Sequence, residues 1–290
     1  MKQGPLHALS FDVEEHFQVA NLSTCFPRER WDEVPSRLRT GMDAVLSALE
    51  RHGARATFFF LGWVAERHPG LVAECLARGH EIASHGYDHR FLAELGPAGL
   101  ERDLERTERA LERAGAPRPI GFRASTFSLT RATNFAFEIL ARRGYRYDSS
   151  VHPVHHPDYG IPDFDPAISR VETRAGPMLE FPVATWRFLG RNWPVGGGGY
   201  FRLLPGGVTR AAIRSLERRG ARAALYLHPW EFDPGQPREN VSALKRFRHY
   251  VNLKRTLPRI ERTLQRFRFA SMREVLEDTG HLSGEADPGR

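Results

Sequence analysis

Two histidine pairs stand at metal-ligand spacing in this chain: His85 and His89 in "SHGYDH", and His152 and His156 in "VHPVHHPDYG". Four-residue spacing lets two imidazoles face one ion where the segment turns helically. Thirteen histidines in 290 residues make such pairs ordinary by chance, so spacing alone does not choose between them. Two imidazoles and a carboxylate are a common ligand set for a catalytic divalent cation, with positions left for water and substrate. Hydrolysis at such a centre uses three further groups. A second carboxylate takes a proton from the attacking water, a histidine opposite protonates a leaving amine, and an arginine holds the base in place. Asp12 and Glu14 in "SFDVE", Arg123 in "GFRAS" and His228 in "LYLHPWE" supply those residue types.

The elements that must position them are short. "HALSFDV" (7–13), "ATFFFLG" (56–62), "HEIASHG" (80–86), "PIGFRAS" (119–125) and "YRYDSSV" (145–151) read as buried strands. Helical stretches separate them. In the first, Leu38, Met42, Val45, Leu46 and Leu49 share a face, with Ser36 as the expected cap and Gly53 as the stop. Further helices are expected within 68–79, 96–115 and 130–144. This βα alternation predicts an α/β fold of parallel strands covered by helices, a barrel. Chemistry in such folds collects at the C-terminal strand ends. Asp12 and Glu14 end the first strand, His85 the third, Arg123 the fourth and His228 a late one. Four strands delivering ionisable groups to one rim predict an active site there. His152 and His156 fall in a Pro-, His- and Asp-rich stretch, 152–178, that reads as a long ordered loop. They are expected at most to line the cleft.

Beyond that loop, "MLEFPVATW" (178–186) and "RAALYLHPWEF" (222–232) read as the two later strands, with a helix over 208–219 between them. The run "PVGGGGYF" lacks the Lys-Ser/Thr of a phosphate-binding loop, so no nucleotide site is expected. It reads as a flexible turn, or as backbone that lets a ligand approach closely.

A hydrophobic fraction of 41% with 11% aromatics supports a sizeable core. Two cysteines, Cys25 and Cys75, exclude a disulfide scaffold and are expected as buried thiols. The first residues hold no apolar run of signal-peptide length, and no stretch approaches 18 apolar residues, so a soluble cytoplasmic protein without an integral membrane segment is expected. The net charge is +7, but Arg is interleaved with Glu along the chain, which disfavours a nucleic-acid partner. Residues 244–268 are the exception, with nine Lys or Arg against one Glu. They read as a basic helix face, or as attraction to an anionic glycan or lipid pyrophosphate.

Taken together, "SFDVE", "SHGYDH", "FRAST" and "LYLH" occur in the order of the motifs of the NodB-homology polysaccharide deacetylases, carbohydrate esterase family 4, which this sequence resembles over about residues 7–235. "SFDVEEHFQV", "GRNWPVGGGGYFRLLP", "HPWEFDPGQPR" and "FRHYVNL" are similar to one branch, the exosortase-locus (PEP-CTERM-associated) exopolysaccharide deacetylases, to about residue 270. The resemblance implies a distorted, incomplete (β/α) barrel and one catalytic domain over 1–280. Its core would be 7–235, with an extension over 236–280 and a disordered tail over 281–290. It implies Asp12 as base, Glu14, His85 and His89 as ligands of a divalent metal, Arg123 as the residue positioning Asp12, and His228 as general acid. Zinc is the first expectation for the metal, with cobalt or manganese as alternatives. The implied reaction is removal of N-acetyl groups from amino sugars of a bacterial exopolysaccharide or its lipid-linked precursor. Trp186, Trp193, Tyr200 and Trp230 could stack on sugar rings. Rival readings are a C–N hydrolase acting on a ureide or cyclic imide, with or without metal, and a non-catalytic glycan-binding protein. Three departures from the family pattern stand out. Val13 separates the two acids of the first motif, leaving Glu15 as a rival to Glu14. Ser125 replaces a Pro in the third motif. The acid and Trp that tune the catalytic histidine have only Asp148, Glu180 and Trp230 as candidates.

Overall fold

A computed structural model describes residues 4–156 and 159–283. Eleven strands are present among them: β1 (Leu6–Val13), β2 (Thr57–Phe60), β3 (Glu81–Ser84), β4 (Gly121–Phe122), β5 (Tyr147–Asp148), β6 (Ser169–Val171), β7 (Met178–Glu180), β8 (Thr185–Phe188), β9 (Arg191–Pro194), β10 (Ala224–Leu227) and β11 (Arg268–Ala270). Nine form one sheet in the order β10-β1-β2-β3-β4-β5-β7-β6, with β11 joining β1; β8 and β9 form a separate antiparallel hairpin. Every pairing in the large sheet is parallel except β6 on β7. The sheet curls into an incomplete (β/α) barrel with helices around it, as the alternation of apolar runs predicts.

The central strands β1 and β2 are buried on both faces and so need apolar residues rather than alternation. β1 and β2 are buried along almost their whole lengths, and Phe11 stacks on Phe58 at 5.2 Å in the main core. Helix Leu38–His52 covers them and ends at Gly53, whose φ of 57° closes the last turn. Ser36 lies one residue before the cap position, where its hydroxyl accepts the Leu38 N–H at 3.4 Å. The same hydroxyl donates to Glu15, and Arg37 takes the cap position. On its inner face, a Cβ at Gly41 would lie 2.0 Å from the Pro229 carbonyl, so this glycine lets the helix seat directly on the turn Pro229–Phe232 that follows β10.

Several expectations are revised. "MLEFPVATW" is two strands, β7 and β8, because Pro182 breaks the run between them. The stretch 152–178 contains β6, and Pro157 and Asp158 of that loop lie outside the described residues. Strands β9 and β11 have no counterpart in the sequence reading. In the glycine run Gly196, Gly197 and Gly198 are packed against protein, so these three are not a flexible turn. Gly196 N–H donates to the Ala184 carbonyl and Tyr226 N–H to the Gly196 carbonyl, so the run bridges the gap between the end of β7 and β10. A Cβ at Gly198 would meet the Glu231 carboxylate at 2.0 Å; these glycines exist so that protein can pack on protein. Cys75 is buried as expected, whereas Cys25 is half-buried, and both are free thiols. Of the expected tail, His281–Ser283 are described and 284–290 lie outside the described residues. Among the described residues no helix is long and apolar enough to cross a membrane.

Candidate metal and catalytic site

β1 is in register with β2 so that Asp12 stands opposite Phe59, and Ser10 and Asp12, two apart, share one face. Arg123, directly after β4, fills the interior beneath them and is fully buried. Its guanidinium donates to Asp12 Oδ1 at 2.6 Å, to Ser10 Oγ at 2.9 Å, and to the carbonyl and hydroxyl of Ser149 at 3.0 Å each. The Phe59 ring lies 4.1 Å under it. A buried cation is tolerable only when its donors are met in this way.

Glu14, His85 and His89 bring one potential ligand atom each to within 4.8 Å of one another, and all three are buried. His85 Nδ1 is 2.8 Å from the Arg123 carbonyl, which leaves Nε2 as its ligand atom. His89 reaches the cluster through a left-handed backbone, φ 59°, that a non-glycine residue adopts at some cost. Glu14 Oε2 lies 2.9 Å from His89 Nε2 yet is buried without a well-formed hydrogen bond. An orphaned, buried carboxylate oxygen beside two imidazoles is the donor set a divalent cation takes, so these residues fit a metal ion. Burial pushes the Glu14 carboxyl up, but His89, His228 and His85 outweigh it and hold it at about 2. Burial lowers His85, favouring the neutral imidazole that ligates. Glu15 faces elsewhere. It accepts from Ser36 Oγ and, at 3.1 Å, from Arg37 N–H, so it is spent on holding the segment that starts helix Leu38–His52.

His228 follows β10 on the other side of Glu14. Its Nε2 is 3.5 Å from Glu14 Oε1 and 4.0 Å from Asp12 Oδ2. Its Nδ1 is 3.4 Å from Glu231, whose carboxylate also accepts the His228 backbone N–H at 3.0 Å. Burial pulls His228 down, but Glu231, Glu14 and Asp12 together raise it to about 9. Glu231 is driven up by burial and down further by Arg202 and His228, to about 2. Arg202 is itself buried, donating to Glu231 at 2.7 Å and to the carbonyls of His249, Val251 and Arg248. The acid beside His228 is therefore Glu231, which sequence reasoning missed. The available signal was a carboxylate three residues past His228, the spacing of a capping box, and the turn has that hydrogen-bond pattern.

Asp148 and Glu180 stand opposite each other on β5 and β7, and among the described residues the carboxylates within 4.0 Å of His228 are those of Asp12, Glu14 and Glu231. Asp148 accepts from Ser150 Oγ, and Ser150 Oγ accepts the Ala124 N–H at 2.7 Å. Ser125 donates to the His85 carbonyl at 3.2 Å. The loop carrying Arg123 is thus fastened by hydrogen bonds where the family pattern has a proline. Trp230 donates to Glu14 Oε1 at 3.3 Å and is sandwiched between His228, at 5.2 Å, and His249, at 4.4 Å. Both faces are covered, so its proposed sugar contact is corrected: no face is open for a ring to stack on. Trp186 and Trp193 oppose each other on the β8–β9 hairpin, the first half-buried and the second exposed; Tyr200 is half-buried on helix Gly198–Leu203. His152 is wholly buried against Tyr159 and Phe127, and neither ring nitrogen has a hydrogen-bond partner among the described residues. It is not part of the Glu14 cluster.

Residues 30–147 match the family model described as "Polysaccharide deacetylase", and residues 149–277 match "Domain of unknown function (DUF3473)". His85, His89 and Arg123 lie in the first region and His228 and Glu231 in the second. A Mycobacterium smegmatis structure described as a polysaccharide deacetylase superposes with a TM-score of 0.64 at 19% identity, covering 100% of this chain and 99% of that one, a likeness of fold. "Peptidoglycan deacetylase-like protein FGM2" of Gibberella zeae is 30% identical over 130 residues, 43% of this chain and 38% of its own length. "Peptidoglycan-N-acetylglucosamine deacetylase PgdA" of Listeria monocytogenes is 36% identical over 81 residues, 28% of this chain and 17% of its own. The chain spans less than two fifths of the length of either relative.

Proposed function

From the match of residues 30–147 to the polysaccharide deacetylase family model and the geometry of the site, we propose that the chain is a metal-dependent N-deacetylase acting on amino sugars of a bacterial exopolysaccharide or its lipid-linked precursor. The observation that carries this reading is the convergence of three pieces around Glu14: the Glu14–His85–His89 donor set, the Arg123-held Asp12, and a protonated His228. A divalent cation held by Glu14, His85 and His89, zinc before cobalt or manganese, would polarise the acetamide carbonyl and make water a better nucleophile. Asp12 Oδ1 is occupied by Arg123, so Oδ2 is the oxygen that takes the proton of the attacking water. His228, kept protonated by Glu231, gives its proton to the departing sugar amine. Both matched regions act as one catalytic unit, since helix Leu38–His52 of the first seats on the turn Pro229–Phe232 of the second and β1 joins β2 of the first to β10 of the second. Exposed Trp193, with Trp186 and Tyr200, offers aromatic surface for the glycan. The reading includes a cytoplasmic setting, in which the two thiols stay reduced.

The test is acetate release from a panel of N-acetylated glycans, with metal-stripped protein reloaded with zinc, cobalt or manganese. Metal-dependent release of acetate is the expected result. Full activity after chelation, or ring-opening of a cyclic imide or ureide with no acetate released from any glycan, would overturn the proposal.

A further inference from the structure

Apart from the Arg248–Val251 carbonyls and the His249 ring, the basic stretch 244–268 takes no part in the catalytic site. Its helix, Leu253–Arg266, instead borders a cavity of about 480 Å³ that it shares with the start of helix Gly206–Glu217. Four arginines line the cavity, Arg210, Arg255, Arg259 and Arg262, together with Phe201 and Pro258, and no carboxylate does. This is unusual for the molecule, where arginine after arginine on the surface is paired with Asp or Glu. Among the described residues Arg210, Arg255 and Arg262 have no ion-pair partner. The Arg210 guanidinium folds back over its own first turn, with Nη1 3.3 Å from where a Cβ on Gly206 would lie. Only Arg259 is engaged, and with neutral groups: it donates to the carbonyls of Phe201, Arg202 and Leu204.

Four guanidinium groups gathered in one concavity repel each other, and a bound anion removes that cost. We propose that this cavity is a second ligand site, separate from the metal centre, that takes a diphosphate group. Three unpaired guanidinium forks can each grip a phosphate through two parallel N–H donors, a geometry that Lys cannot offer. Their combined charge matches a diphosphate better than the single charge of a carboxylate. Arg259 links the site to the catalytic side, because the segment whose carbonyls it holds contains Arg202, the partner of Glu231. The inference does not rest on the deacetylase reading, and its test does not use activity as the primary readout.

The experiment is calorimetric titration with inorganic pyrophosphate, inorganic phosphate and acetate at matched ionic strength. The proteins are the wild-type chain, an Arg210→Gln/Arg262→Gln double variant, and His85→Ala to remove any contribution of the metal centre. Pyrophosphate is expected to bind at least about tenfold tighter than acetate, equally in His85→Ala, and at least about tenfold more weakly in the double variant. Binding that is equal for all anions, or unchanged in the double variant, overturns the proposal; so does binding lost only in His85→Ala, which would place the anion at the metal centre. Two further arms assign the carrier. Retention on phosphatidylcholine vesicles only when they carry a prenyl diphosphate assigns a lipid, and binding of a uridine diphosphate sugar assigns a soluble donor. Failure of both also overturns it.

Discussion

At Asp12 the two carboxylate oxygens have different neighbours: one is held by Arg123 at 2.6 Å, the other faces His228 at 4.0 Å. That division lets one residue be both fixed and reactive, and it separates Asp12 from the metal donors. Asp12→Asn is therefore expected to keep the metal and lose most turnover, by about 10²–10⁴ in kcat, because an amide cannot take the proton from water. KM should change little, since the lost interaction belongs to the transition state. Metal content and kcat on the same sample decide it; a variant that is metal-free, or metal-loaded and fully active, sinks the assignment of Asp12 as base. Glu14 and Glu15 make a second contrast. Glu14→Ala should abolish tight metal binding. Glu15→Ala should retain it but lower stability by about 1–3 kcal/mol, because Ser36 and the Arg37 N–H lose their buried acceptor. Metal titration and thermal unfolding of the two variants test this, and the opposite pattern would mean the ligand is Glu15.

The element that matters most beyond β1 is the turn Pro229–Phe232. It carries Trp230 under the imidazole of His228 and Glu231 beside Nδ1, and it is clamped from two sides. Helix Leu38–His52 seats on it through Gly41, and Gly198 abuts the Glu231 carboxylate. The turn therefore sets both the direction and the charge of His228. Glu231→Gln removes one of the negative charges that raise His228 to about 9, so the pKa of His228 must fall. With His228 as the proposed general acid, activity would need the protonated imidazole, and the basic limb of kcat against pH should move to lower pH with metal content unchanged. A limb that stays in place would show that some other group sets it. Legibility at this scale was uneven. Apolar runs marked β1, β2, β3 and β10 because a doubly buried strand is apolar throughout. Strands β6, β9 and β11, of three or four residues, carry too little pattern to stand out from loop.

Across the whole molecule the two matched regions are not separable units. Helix Leu38–His52 of the first seats on the turn Pro229–Phe232 of the second, β1 joins β2 of the first to β10 of the second, and the carbonyls that satisfy buried Arg202 come from Arg248–Val251. A chain ending at residue 242 would lose β11 and leave Arg202 with unmet donors in the interior, a loss of several kcal/mol. It is expected to be insoluble or to lack a cooperative thermal transition; a soluble, cooperatively unfolding fragment would show the residues after 242 to be dispensable for folding. The sequence by itself determined the chemistry available: which strand ends carry Asp12, Glu14, His85, Arg123 and His228, and that strands and helices alternate. Those properties are local, written in apolar periodicity and in the residues that end each run. Only the tertiary structure decided that Glu14 and not Glu15 faces the histidines, that Glu231 and not Asp148 or Glu180 attends His228, and that the glycine run is packed. It also decided that Trp230, 216 residues from Glu14 along the chain, is its hydrogen-bond donor. Such contacts exist only once the sheet curls and brings β10 against β1, and closure over that distance leaves no trace in local spacing.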